Sequence, residues 1–156
     1  MSTKNRSRKK RVLAVASGGG HWVQLRRLAP AFEGCDLTYV TVEKSYRDEV
    51  DDAPVRIVLD ATRWNKIKLV LMMLQIIWIV LLSRPDVVVS TGAAPGFFAL
   101  RFASLLGKKT VWIDSIANVE VVSLSGQKIG PHASLWLTQW EHLAEPGGPE
   151  YRGSVL

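Results

Sequence analysis

The chain has 156 residues, a single cysteine and a formal net charge of +6. That length suits one domain whose core is large enough to dispense with disulfides. Cys35 alone can form neither an internal bridge nor a zinc cluster, so a reducing compartment is expected and no metal is implied.

The charge is concentrated at the start. Lys4, Arg6, Arg8, Lys9, Lys10 and Arg11 supply six of the twenty basic residues, leaving fourteen against fourteen acids in the rest, so the folded body is neutral. Residues 1–11 therefore read as a flexible basic arm. Such an arm suits an anionic lipid surface, at about 1 kcal/mol per basic residue, a solvated tail, or nucleic acid. A neutral body argues against the last. No secretory signal is expected, because the first apolar segment runs straight into a glycine turn.

Residues 12–16 form an apolar strand that empties into Ser17, Gly18, Gly19, Gly20 and His21, followed by a helix over 22–28. A buried strand leading through glycines into a helix exposes backbone N–H groups at the positive end of the helix dipole, an arrangement that receives phosphate. A structural turn without a ligand is the alternative. The spacing is neither the dinucleotide G-x-G-x-x-G nor a P-loop, so no nicotinamide enzyme or ATPase is indicated. Further Val- and Ile-rich strands are expected at 37–42, 55–59, 87–89, 110–113 and 135–138, alternating with helices. Near-continuous apolar strands of this kind build a parallel sheet covered on both faces, a doubly wound, Rossmann-like α/β domain over 12–145. Ligands in that architecture bind beyond the carboxyl ends of the strands. The final segment, 146–156, reads as an irregular tail.

Between the third and fourth strands, residues 69–82 are apolar except for Gln75, with Lys66 and Lys68 before and Arg84 after. Fourteen residues cover about 21 Å at 1.5 Å each, short of a bilayer core, so this helix is expected to lie on a membrane or a partner rather than cross. Being apolar nearly all round, it must bury a second face. Leu74, Ile77 and Trp78 are the candidate contacts, with Lys66, Lys68 and Arg84 meeting head groups and Trp64 at the boundary. An ordinary core helix is the alternative.

A second loop, Ser90, Thr91, Gly92, Ala93, Ala94 and Pro95, repeats the first: strand, small residues, glycine, then a proline suited to a helix start. Two anion-receptive loops in one crevice point to a diphosphate, and a side chain at Gly19 or Gly92 would obstruct it. His21 is the best placed base, with Asp114 and Glu141, each after a strand, as alternatives or as helix-capping acids. His132, His142 and Trp136 read as structural. Trp140 could stack on sugar or fill an interface.

Six segments together, 17–21, 84–95, 106–109, 114–119, 123–127 and 138–141, resemble the membrane-associated subunit of split glycosyltransferases. That group includes the anchor subunit of the dolichol-linked N-acetylglucosaminyltransferase and bacterial exopolysaccharide proteins of the PssD and CpsF kind. The resemblance implies the amino-terminal half of a GT-B enzyme of the MurG type. It implies a hexosyltransferase subunit in polysaccharide biosynthesis, inactive without a small partner that carries the carboxyl-terminal half and the UDP-sugar site. It further implies a polyprenyl-diphosphate-linked acceptor, no cofactor beyond the UDP-sugar donor substrate, and a peripheral or monotopic place on the cytoplasmic face of the inner membrane. Relatives often carry an arginine where this chain has Asn118, a candidate acceptor contact. A non-catalytic anchor and activator of a competent partner is the competing reading.

Overall fold

The structure, a computed structural model, describes residues 8–51 and 53–155. Seven parallel strands form one sheet: β1 (Arg11–Val15), β2 (Asp36–Thr41), β3 (Val55–Ile57), β4 (Val87–Ser90), β5 (Lys109–Ile113), β6 (Leu135–Thr138) and β7 (Glu150–Tyr151). Their order is β3-β2-β1-β4-β5-β6-β7. The chain winds outward from β1 in one direction and then from β4 in the other, so the two strands flank the switch point where such sheets hold ligands.

Strand alternation sorts the side chains into two cores. Leu13, Val15, Val40 and Val88 pack under α2 (Lys66–Ser83) and α3 (Ala93–Leu105). Val12, Ala14, Tyr39 and Val89 pack on the opposite face with Trp22 and Leu25 of α1 (Gly20–Arg27). A short helix α4 (Leu124–Ile129) closes the α3 side through Ile129.

α2 is longer than its apolar run suggested, about 27 Å at 1.5 Å per residue, and by length and composition alone it could cross a membrane. Met72, Ile76 and Val80 are fully buried in the sheet core, so the helix is a structural layer of the domain. The outward row Ile67, Val70, Leu71, Leu74, Trp78, Leu81 and Leu82 is exposed, with Ile67 at 76%, Leu74 at 53% and Trp78 at 63%. Apolar residues at three- and four-residue spacing thus form a bare stripe along the whole helix. Lys66, Lys68 and Arg84 are exposed at its ends, as expected, whereas Ile77 is half-buried at the edge of the stripe.

Two boundaries differ from expectation. The expected arm falls partly outside the described residues, at 1–7, but its end is fixed: Arg8 donates to Asp86 at 2.8 Å, and Arg11 is the first residue of β1. The Arg11 backbone N–H, with the Arg8 and Arg11 guanidiniums, holds the Asp86 carboxyl below the usual carboxylate range. At the other end the expected irregular tail contributes β7, which pairs with β6. Val155 N–H then donates to the Gln139 side chain at 2.8 Å. A two-residue strand between glycines and prolines carries no apolar run, so no pattern announced it.

Candidate functional site

The loops after β1 and β4 meet across the switch point. Thr91 Oγ1 donates to the His21 carbonyl at 2.6 Å, and His21 Nδ1 lies 2.9 Å from the Thr91 carbonyl. A carbonyl only accepts, so Nδ1 is the donor, and the neutral ring in this tautomer has its lone pair on Nε2. The first loop is braced from outside: Gly19 N–H donates to the Tyr46 hydroxyl at 3.0 Å, and the Tyr46 ring stacks on Trp22 at 4.7 Å.

The helix starts differ in a telling way. α2 and α4 are capped by side chains, Asn65 accepting from Lys68 N–H and Ser123 from Gly126 N–H. α1 and α3 have glycine N-caps, Gly19 and Gly92, with no side-chain cap. The first N–H groups of a helix have no intrahelical acceptor, so the two uncapped, positive helix ends are the two at the switch point. Ala93 has φ 66°, a left-handed conformation costing on the order of 1 kcal/mol for a residue with a side chain. Such strain concentrates where ligands are held.

A pocket of about 280 Å³ opens here, lined by His21, Gly92, Ala93, Asp114, Ser115, Ala117, Asn118, Ser123 and Ser125. Asp114, 1% exposed, is its organiser. Its oxygens accept from Ser115 N–H, the Asn118 amide, and both N–H and hydroxyl of Ser123. A carboxylate offers about four lone-pair sites, and these four donors fill them, so Asp114 holds the 115–126 loop. A Cβ at Gly126 would fall 2.2 Å from Asp114 Oδ2, which explains glycine there.

Of the other expected residues, Asn118 lines the pocket through this network, whereas Ser90 is fully buried, its hydroxyl accepting from Gly92 N–H at 3.1 Å. Ser17, Gly18, Gly20 and Ala94 belong to the two loops without lining the pocket. Glu141 does not reach it. Its carboxylate is exposed on a turn tied to the pocket loop by neighbours: Trp140 Nε1 donates to the Ile116 carbonyl at 2.8 Å, and His142 Nε2 lies 2.6 Å from the Val119 carbonyl. Gln24, Gln139 and Ser115 form a buried network behind the pocket that sequence reasoning missed: the Gln24 carbonyl oxygen accepts from Ile116 N–H and the Gln139 amide. A glutamine between Trp22 and Leu25 on the buried side of a helix was the available signal.

Gly92 is required by the pocket itself. Its φ is 134°, and a Cβ would stand 2.6 Å from the His21 ring. At Gly19 a Cβ would meet nothing within 4 Å. The obstruction expected at Gly92 therefore falls on the imidazole. Gly92→Ala is expected to cost about 1–3 kcal/mol of stability and to displace His21, read by thermal unfolding and by loss of the carbonyl-bound Nδ1 proton signal in NMR.

No family model matches the chain. The fold is shared with MurG of Acinetobacter baumannii, at a TM-score of 0.74 and 14% identity over 91% of this chain and 45% of that one. It is shared with a glycosyltransferase of Rickettsia africae, at 0.62 and 15% over 86% and 37%. A UDP-GlcNAc 2-epimerase of Methanocaldococcus jannaschii follows at 0.63 and 13% over 83% and 40%. The architecture is that of the Rossmann-like amino-terminal half of a GT-B glycosyltransferase. In sequence, the chain is 35% identical over 80 residues to the UDP-N-acetylglucosamine transferase subunit ALG14 of Yarrowia lipolytica, a match spanning 47% of this chain and 37% of that protein. The chain is thus similar in sequence to a UDP-N-acetylglucosamine transferase subunit and shares the fold of the amino-terminal half of GT-B glycosyltransferases, and it spans less than half the length of each of these proteins.

Proposed function

We propose that this chain is the acceptor-side subunit of a two-component, UDP-sugar-dependent glycosyltransferase that extends a polyprenyl-diphosphate-linked saccharide in polysaccharide biosynthesis. The observation that carries the reading is the pair of uncapped helix N-termini, α1 and α3, at the switch point beside a histidine with a free Nε2. Those N–H groups receive the acceptor diphosphate. His21 Nε2 takes the proton of the acceptor hydroxyl as its oxygen bonds to the anomeric carbon, and the bond to UDP breaks with its electron pair leaving on the diphosphate. A pocket of about 280 Å³ sits at the small end of ligand sites. It suits part of a ligand, with a partner of the GT-B carboxyl-terminal-half type supplying the UDP-sugar site. The stripe on α2 rests on the cytoplasmic face of the inner membrane, with Lys66, Lys68 and Arg84 at head-group level.

Binding by the isolated chain tests the assignment of halves. A soluble short-chain polyprenyl-diphosphate saccharide is expected to bind by calorimetry, and UDP is not. UDP binding here, with no binding of the lipid analogue, would reverse the two halves.

A further inference from the structure

The opposite edge of the sheet carries another cavity, with both charged and apolar walls. It measures about 310 Å³ and lies beneath the C-terminal half of α2, lined among others by Arg11, Asp36, Arg56, Trp78, Leu82 and Pro85. Its position follows from strand alternation: Arg11 shares the face of Leu13 and Val15, which belong to the core under α2. An arginine thus occupies an inward position at the start of the central strand. In the parallel register Arg11 neighbours Asp36, and Arg56 neighbours Val40, another residue of that core, so all three charged side chains stand on the α2 side.

This cluster is one negative charge short of neutral. Asp86 forms ion pairs with both Arg8 and Arg11, its Oδ2 lying 3.9 Å from Arg11 Nε and so beyond hydrogen-bond reach, and with Arg8 counted too there are three guanidiniums against two carboxylates. Arg11 Nε is buried and makes no hydrogen bond. A buried donor of a charged group without an acceptor is costly, and such a group marks the place of an absent acceptor. Around it the entrances to other strands add Arg84, Lys108 and Lys109, so this edge is basic. Trp78 and Leu82, which line the cavity, also belong to the bare apolar stripe.

We propose that this cavity binds the phosphate of an anionic glycerophospholipid, the Arg11 and Arg56 guanidiniums holding its oxygens while the acyl chains continue along Trp78 and Leu82. Guanidiniums match phosphate in a forked geometry, and a ligand that is anionic at one end and apolar at the other fits both walls. This inference rests on the membrane contact of α2, and it adds a discrete headgroup site remote from the crevice.

The probe is dihexanoylphosphatidylglycerol below its micelle concentration, followed by the Trp78 indole N–H signal in NMR, assigned with Trp78→Phe. The parent chain is expected to titrate saturably, and inorganic phosphate to bind at least about tenfold more weakly for want of the apolar contacts. Arg11→Gln with Arg56→Gln is expected to lose about tenfold or more of the affinity, the scale of one charged hydrogen bond. Lys44→Gln with Lys128→Gln removes the same charge from exposed positions away from the cavity and should change it by no more than about twofold. If the double glutamine variant fails to fold by its thermal melt, Arg56→Gln alone, on the exposed edge strand, is expected to weaken binding several-fold. No saturable titration of the parent, or equal affinity of the folded arginine variant, overturns the site. Equal affinity for inorganic phosphate overturns the lipid assignment. Ile67→Glu with Leu74→Glu keeps both arginines and Trp78, so it should retain this titration even while losing vesicle binding, which separates failure of the headgroup site from failure of the membrane reading.

Discussion

Replacing His21 by alanine is expected to lower transfer by the chain reconstituted with its partner about 10²–10⁴-fold, the usual contribution of a positioned general base. The loss should fall on kcat, because the diphosphate contacts proposed here come from backbone N–H groups that the substitution leaves in place. Asp114→Asn is expected to behave differently. It replaces an acceptor oxygen by an amide donor facing Ser123 and Asn118, so it should loosen the 115–126 loop and raise KM along with lowering stability. Glu141→Ala, at an exposed carboxylate off the pocket, should leave both constants near the parent values. The assay is steady-state transfer from a UDP-sugar to a polyprenyl-diphosphate acceptor. Full activity of His21→Ala would make the chain a non-catalytic anchor and activator of a competent partner.

The second large effect concerns the stripe on α2. Ile67→Glu with Leu74→Glu places two carboxylates on its outward row, where neither side chain contributes to the sheet core. Removing two apolar contacts with lipid costs about 3 kcal/mol, on the order of a hundredfold in partitioning. The variant is therefore expected to stay in the supernatant when membranes are pelleted, with an unchanged thermal melt. Ile76→Glu, on the buried side of the same helix, should unfold the domain instead. Pelleting of the first variant like the parent would remove α2 from the membrane contact, as would complete release of the parent by high salt alone.

Most of the fold could be read before the structure because parallel strands buried on both faces appear as short apolar runs, and 12–16, 37–42 and 135–138 are such runs. The elements that escaped are those whose stability comes from neighbours. β7 exists because β6 offers an edge, and α4 is six residues held by the Ser123 cap and Asp114. At the site, the glycine loops were legible one at a time. Their clasp was not, since His21 and Thr91 are 70 positions apart and meet only through the order of β1 and β4. The network around Asp114 was hidden for the same reason, two of its donors lying nine positions ahead on Ser123 in a loop with no periodic pattern. Arg11 was hidden by composition: within a run of basic residues, nothing distinguished the one that turns inward at the start of a strand.

The direction of α2 has a geometric consequence. It returns from the carboxyl edge of the sheet to the amino edge, so its bare row runs the full height of the domain, beside the strands. A flat surface that engages the whole row must lie parallel to the strands. The mouth of the crevice, at the ends of those strands, then looks along that surface instead of away from it. On the proposed reading, in which that surface is a membrane, a lipid-borne saccharide would enter by gliding within its leaflet, and the search for it would become two-dimensional, while a water-soluble sugar donor would arrive from the open side.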